Sequence, residues 1–159
     1  MNIVVDTSTL ISLAKIDAIK LFENIDGELI CPHEVFREAV IEGKEEGHQD
    51  AELIADIFRS GLVNKVNVLK NIDLNGISKT DSTVISCAIE HNAKYLFTND
   101  TKLARKAEIQ GIEVRGSPDI LFRLLRKGII NKLQYNQFII RLYEKKRISE
   151  TNMIGYLEK

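Results

Sequence analysis

Four acidic side chains lie where alternating strands and helices could bring them together. Asp6 follows the apolar run NIVV, Asp100 follows YLFTN, and Asp81 and Glu38 lie on segments with helical periodicity. Carboxylates that converge without an equal number of basic partners repel each other, so a divalent cation usually neutralises such a group. Oxygen ligands favour Mg²⁺ or Mn²⁺, whereas zinc would need His or Cys ligands at spacings that this chain lacks.

Each acid also has a structural interpretation. Asp6 and Asp100 are placed to cap the helices that follow them, and Asp81 would complement the dipole in the first turn of its helix. Glu38 is the middle one of three glutamates spaced four residues apart, which is typical of a solvent-exposed helix edge. No single acid therefore indicates catalysis, and the inference depends on all four facing one crevice.

The elements that would position these acids alternate along the chain. β-Branched and apolar runs predict strands at 2–5, 28–31, 62–69, 95–98 and 112–116. Helical periodicity predicts helices at 9–22, 33–42, 50–60, after the N-cap Ser78, and at 101–110, 119–127, 133–146 and 149–158.

Strands that alternate with helices through short connections predict an α/β fold with a parallel sheet covered by helices on both faces. We expect a single domain over 1–159, with the helices of about 119–159 as part of it. In such a sheet the functional crevice lies beyond the carboxyl ends of the strands. Two predicted strands end there in an aspartate, Asp6 and Asp100.

The composition narrows the class of protein. Hydrophobic residues make up 44% and charged residues 28% of the 159 residues, which is typical of a globular domain. No apolar run approaches the roughly 18 residues of a membrane span, and the first residues lack the pattern of a secretory signal. We therefore expect a cytoplasmic protein that does not associate with membranes, with Cys31 and Cys87 buried and reduced.

The charge is distributed unevenly although the net charge is only −1. Residues 1–100 carry a formal charge of −8 and residues 101–159 carry +7. From charge alone we favour charged solvent faces on the C-terminal helices as the explanation. The asymmetry indicates a surface that attracts polyanions only if another signal places an acidic site beside it.

Four segments together resemble the PIN-domain family, most closely the small prokaryotic proteins of the VapC type. They are NIVVDTSTLISLAK, CPHEVFREAV, SKTDSTVISCAIEHNAKYLFTNDTKLARKA and GIEVRGSPDILFRLLRKGII, in the family's order and spacing. The resemblance covers the whole chain. It implies a five-stranded parallel sheet flanked by helices, with a helical C-terminal third, and metal-dependent ribonuclease activity.

The family's functional residues fall on specific positions of this chain. The four acids are carried over to Asp6, Glu38, Asp81 and Asp100, and two small polar positions that support them to Ser8 and Thr98. The assignment of Glu38 rests on the pattern P-x-x-V-x-x-E, and Glu34, one turn away, is the rival candidate. Three acids would hold Mg²⁺ or Mn²⁺ as one or two ions, and Glu38 would orient the attacking water or complete a second metal site.

The resemblance also implies partners. RNA would be the substrate, held through its backbone by basic residues of the C-terminal third, namely Lys102, Arg105, Lys106 and Arg115, with Arg123 and Arg126 beside them. An antitoxin protein and a second copy of the chain in a homodimer are expected, although a role in RNA processing stays open.

Two other classes of protein stay open as alternatives. A non-catalytic PIN-like module that binds RNA or protein would often lack one of the four acids. A receiver-like or nucleotide-binding domain is less compatible, because DTSTLI has no phosphate-binding glycines and no suitably placed Lys follows the fifth strand.

Overall fold

The centre of the molecule is a five-stranded sheet in which all neighbouring strands are parallel. The computed structural model describes residues 1–159. The strands are β1 (Asn2–Val5), β2 (Glu28–Pro32), β3 (Val63–Val66), β4 (Tyr95–Phe97) and β5 (Glu113–Arg115). Their order in the sheet is β3-β2-β1-β4-β5. The predicted α/β fold with a five-stranded parallel sheet is confirmed.

The helices follow the strands in the predicted alternation. They are α1 (Thr7–Lys15), α2 (His33–Phe36), α3 (Gly43–Glu45), α4 (Asp50–Arg59), α5 (Lys79–Glu90), α6 (Thr101–Ile109), α7 (Ser117–Arg126), α8 (Lys132–Glu144) and α9 (Glu150–Leu157). A 3₁₀ helix spans Ile19–Asn24, and a π-helical segment over Arg37–Glu42 joins α2 to α3.

The strand order explains where a site can form. β1 is central, with β2 on one side and β4 on the other, so the chain first builds outward through β2 and β3 and then crosses to β4. The registers Val5↔Phe97 and Val4↔Leu96 align the carboxyl ends of β1 and β4. A crevice forms at such a switch point because the connections leave the two strands in opposite directions.

Burial on both faces of the sheet stabilises this arrangement. Ile3, Val4 and Val5 are at most 1% exposed, as expected for a central parallel strand covered by helices. The strands and helices contribute to a core of 36 buried residues. Cys31 and Cys87 are both free and buried, as predicted. No helix has the length and apolar character needed to cross a membrane.

Two predicted helices differ from the observed ones. The helix predicted at 9–22 ends at Lys15, because Asp17 adopts a left-handed backbone conformation with φ 58°. The amides of Asp17 and Ala18 then bond to the carbonyls of Ala14 and Leu13, at 3.1 and 2.9 Å, which closes the helix. The helix predicted at 33–42 continues to residue 45 through the π-helical segment.

The predicted third strand is also shorter than expected. Only Val63–Val66 pairs with β2, whereas the prediction covered 62–69. Leu69 is 89% exposed, so the apolar residues at the end of that run do not join the sheet.

We predict that Leu96→Ala destabilises the protein far more than Leu69→Ala. Leu96 is fully buried in β4, and its truncation leaves a cavity that costs about 2–5 kcal/mol of unfolding free energy. Leu69→Ala, the matched control, should change that free energy by no more than about 0.5 kcal/mol. Urea unfolding of both variants tests this, and equal midpoints would contradict the observed packing of β4.

Candidate active site

Asp6 is a buried carboxylate without a cationic partner. It follows β1 directly and is only 4% exposed. It occupies the N-cap position of α1, yet its side chain makes no capping hydrogen bond. Its Oδ2 accepts hydrogen bonds from Ser8 Oγ at 2.9 Å and from Thr98 Oγ1 at 2.8 Å. Burial raises the pKa of Asp6, and the two hydroxyl bonds only partly offset this.

The two hydroxyls that hold Asp6 are themselves oriented by the backbone beyond β4. Ser8 Oγ accepts from the amide of Asn99 at 2.9 Å, and Thr98 Oγ1 accepts from the amide of Asp100 at 3.1 Å. Each hydroxyl therefore accepts a hydrogen bond from a backbone amide and donates one to Asp6. This network fixes the end of β1 against the end of β4.

Asp100 serves as a helix cap with one of its oxygens. Its Oδ1 accepts from the amides of Lys102 and Leu103 at 2.9 and 3.1 Å, at the N-terminus of α6. The capping interpretation is therefore correct for Oδ1. Oδ2 has no hydrogen-bond partner in the structure, and Asp100 lines a cavity together with Thr98.

Asp81 lies in the first turn of α5, whose N-cap is Ser78. Ser78 Oγ accepts from the Asp81 amide at 3.1 Å, as the predicted N-cap requires. The Asp81 carboxylate has no cationic partner within 4.0 Å. Its burial raises its pKa to about 6, and the nearby charges of Asp6 and Asp100 add to that effect.

Glu38 reaches the same group of acids from the π-helical segment. Its Oε1 accepts from Thr7 Oγ1 at 3.4 Å. Burial and, secondarily, the carboxylates of Asp6, Glu42 and Asp81 together raise the pKa of Glu38 to about 7. Four acids from four separate elements are thus electrostatically coupled, as expected for carboxylates that face one crevice.

Glu34, the rival of Glu38, makes no hydrogen bond to the residues around Asp6, whereas Glu38 accepts from Thr7. None of the acids described above owes its pKa shift to Glu34. The geometry therefore associates Glu38, and not Glu34, with the crevice.

The donors in this crevice fit a hard divalent cation. They are carboxylate and hydroxyl oxygens, and no Lys, Arg or His lies within 4.0 Å of the carboxylates of Asp6, Glu38, Asp81 or Asp100. Mg²⁺ and Mn²⁺ prefer such oxygens and keep several bound waters. No three acidic, His or Cys side chains are spaced to ligate one ion directly.

Two cavities flank the acids. One of about 350 Å³, the α4-side cavity, lies between α1, the π-helical segment and α4, and Thr7, Glu38 and Glu42 line it. The other, of about 200 Å³, is the α9-side cavity, and Thr98, Asp100 and Tyr156 line it. The two cavities share one lining residue, Arg147, which the sequence did not single out.

Asn99 is a second residue that the sequence analysis missed. Its Nδ2 donates to Ser12 Oγ and Ser117 Oγ, both at 2.8 Å, and its Oδ1 accepts from the Ser117 amide at 2.7 Å. These bonds connect the end of β4 to α1 and to the start of α7. The polar run TND after an apolar strand was the available signal, although only its first and last residues were selected.

The predicted RNA-binding residues occupy two different places. Lys102 and Arg105 are exposed and Lys106 is half-buried on α6, next to Asp100, and none of them forms an ion pair. Arg115 instead pairs with Glu113 and lies over the ring of Tyr95, 5.0 Å from its centroid. Its pocket lies apart from both cavities beside the acids.

We predict that the metal-free protein loses stability as the pH rises from about 4 to about 7. The folded pKa values of Glu38 and Asp81, about 7 and about 6, exceed their ordinary values of 4.5 and 3.8. The folded protein therefore keeps the full contribution of these two groups to its stability at pH values below the ordinary pKa values, and it loses that contribution as the pH rises through the folded pKa values. After allowance for partial exposure, the loss should be on the order of 1–2 kcal/mol.

Thermal or urea unfolding in EDTA across this pH range measures the effect. Glu38→Gln should flatten the profile, because it removes the carboxyl group whose pKa is raised to about 7. Glu34→Gln is the matched control and should leave the profile unchanged. A Glu38→Gln profile as steep as that of the wild type would contradict the coupling of the acids.

Comparison with known proteins gives one match. No curated protein matches the chain. A family model described as a PIN domain matches residues 2–155. The match includes all five strands, all four acids and most of α9. The chain therefore belongs to the PIN-domain family.

Proposed function

We propose that the protein is a Mg²⁺- or Mn²⁺-dependent ribonuclease that hydrolyses RNA phosphodiester bonds at the crevice of Asp6, Glu38, Asp81 and Asp100. PIN domains are generally nucleases. The observation that carries the proposal is the coupling of four carboxylates at a strand switch point without a cationic side chain to neutralise them. A fold that needed these acids only as caps would not require them to face each other.

The acids have distinct roles in this proposal. Asp6, Asp81 and Asp100 would hold the cation partly through bound waters, because their side chains are not spaced to ligate one ion together. Ser8 and Thr98 fix Asp6 in advance. When bound, the cation would polarise the phosphoryl oxygen and lower the pKa of a water molecule. Glu38 has a pKa close to neutrality in the metal-free protein, so it is suited to orient the attacking water and accept its proton.

The alternative of a non-catalytic binding module has less support. Such a module needs no unpaired carboxylates, yet Glu38 and Asp81 have no cationic partner within 4.0 Å and Asp100 keeps one oxygen free. An antitoxin partner, a homodimer and a cytoplasmic location stay predictions from the sequence. They do not affect the chemistry proposed for the crevice.

We predict that the purified protein cleaves RNA in Mg²⁺ or Mn²⁺ and not in EDTA. Asp6→Asn should lower kcat by about a hundredfold or more, because it removes a charged ligand and alters the hydroxyl network. Glu38→Gln should also lower kcat, whereas Glu34→Gln, its neighbour one turn away, should retain wild-type cleavage. Gel assays with end-labelled RNA measure this, and cleavage that persists in EDTA or in Asp6→Asn would refute the proposed site.

A second prediction concerns the exposed basic face of α6. Reversing Arg105 and Lys106 to Glu should weaken RNA binding at every sequence, and it should reduce the salt dependence of Kd, because these residues would contact phosphates. Lys20→Glu with Lys94→Glu makes the same change in net charge at exposed residues that line neither cavity beside the acids. Binding by fluorescence anisotropy at several salt concentrations compares the two pairs. Equal losses of affinity would show that α6 has no special role.

A further inference from the structure

Arg147 lies on the wall that separates the two cavities beside the acids. It belongs to the turn between α8 and α9, far in sequence from every acid of the crevice. Both the α4-side cavity and the α9-side cavity include it in their lining. Its side chain is therefore reachable from the openings on either side of the crevice.

The guanidinium is held by neutral groups alone. Its Nε donates to Ser12 Oγ at 2.8 Å, and its Nη2 donates to the carbonyl of Ser8 at 3.4 Å. Ser8 is also the residue that donates to Asp6, so the cation is attached to the same turn of α1 as the buried carboxylate. Partial burial lowers the pKa of Arg147, which stays charged because an arginine titrates far above neutrality.

Arg147 has unused hydrogen-bonding capacity. Its Nη1 group and one proton of Nη2 have no acceptor in the structure. They are not sealed in the interior, since the only fully buried polar side-chain atoms without a partner are Thr9 Oγ1 and Asn136 Oδ1. The guanidinium therefore directs free N–H donors to a surface that a ligand can reach.

The other basic side chains that line these cavities lie beside acids. In the α4-side cavity Lys15 pairs with Asp50 at 3.0 Å, and His48 Nε2 lies 3.0 Å from Glu46. Arg147 has no carboxylate within 4.0 Å. Asp50, which pairs with Lys15, opposes the effect of burial on the Arg147 pKa without contacting the guanidinium. A half-buried guanidinium with no anion in contact is costly, and a bound anion would lower that cost.

The turn does not need the Arg147 side chain to form. Lys146 adopts a left-handed conformation with φ 60°, and its amide bonds to the Tyr143 carbonyl at 2.9 Å. The Arg147 amide bonds to the Leu142 carbonyl at 2.8 Å, which completes the helix-closing motif. Ser149 then caps α9. Backbone hydrogen bonds therefore position Arg147 beside the cavities, and the turn does not use the guanidinium, which stays available to a ligand.

We propose that Arg147 binds a non-bridging phosphate oxygen of the RNA backbone, next to the phosphodiester bond that the acids cleave. This inference rests on the proposed ribonuclease function. An RNA strand that crosses from one cavity to the other passes Arg147, with Glu38 on one side and Asp100 on the other. Planar guanidinium groups recognise phosphate through paired N–H donors, which matches the free donors of this side chain.

The test compares Arg147→Gln with Lys145→Gln. Both variants lose one positive charge in the same turn, but Lys145 is exposed and lines neither cavity. Binding of a labelled single-stranded RNA is measured in Mg²⁺ by anisotropy, in an Asp81→Asn background that prevents hydrolysis. We expect Arg147→Gln to raise Kd on the order of tenfold and to reduce the salt slope by about one phosphate contact. Lys145→Gln should raise Kd by less than about threefold.

Three further measurements make the result decisive. Arg147→Lys should bind RNA more weakly than the wild type and more tightly than Arg147→Gln, because it keeps the charge and loses the planar donors. In the cleaving protein, Arg147→Gln should raise KM more than it lowers kcat. Melting temperatures in EDTA should be similar for Arg147→Gln and Lys145→Gln, whereas a purely structural residue would lower the melting temperature and leave the salt slope unchanged.

The outcomes separate this inference from the function on which it rests. If the wild type cleaves RNA but Arg147→Gln matches Lys145→Gln in Kd, KM and salt slope, only the assignment of Arg147 is overturned. If the wild type neither binds nor cleaves RNA, both proposals are overturned. If Arg147→Gln unfolds, Arg147→Met, which keeps the aliphatic stem and removes the charge, takes its place, and a Kd and salt slope equal to those of Lys145→Gln refute the phosphate contact.

Discussion

The crevice depends on a carboxylate that is buried without a positive charge beside it. An ionised Asp6 would be strongly destabilising at the end of a central strand if nothing donated to it. Two hydroxyls supply the donors, and both are aligned by backbone amides that follow β4. The neighbouring positions of β1 and β4 are therefore required for this charge to be tolerated, as well as for the core to be packed.

Helix N-termini reduce the repulsion among the acids. Asp6 lies at the N-cap of α1, Asp81 lies in the first turn of α5, and Asp100 caps α6. The positive ends of three helix dipoles therefore approach one cluster of carboxylates. This explains why the capping and catalytic interpretations are not exclusive, since Asp100 caps with one oxygen and leaves the other free. The metal-free fold can persist although the pKa values of Glu38 and Asp81 are raised.

The sequence was informative where local periodicity determines structure. All five strands lie within or at most one residue beyond their predicted ranges, and Ser78 caps α5 as expected, because apolar runs and capping residues act over a few positions. The strand order was not predictable in this way, because it depends on long-range packing. The left-handed turn at Asp17 was also missed, since the apolar spacing continues through Ile19 and Phe22, which are buried from a 3₁₀ helix instead.

The same distinction applies to the residues around the crevice. The acids were detectable because each follows a strand or opens a helix, whereas Asn99 and Arg147 act through side chains that meet residues 87 and 135 positions away. Arg147 looks like one more charge in the run KKR, and only the closure of α8 at Lys146 separates it from its exposed neighbours.

The charge asymmetry of the chain corresponds to a separation of charge around the crevice. The acidic first 100 residues supply the crevice, and the basic remainder supplies unpaired cations on its borders, from α6 on one side and from the α8–α9 turn on the other. A polyanionic strand would thus meet positive charge on both sides of the carboxylates, which otherwise repel it.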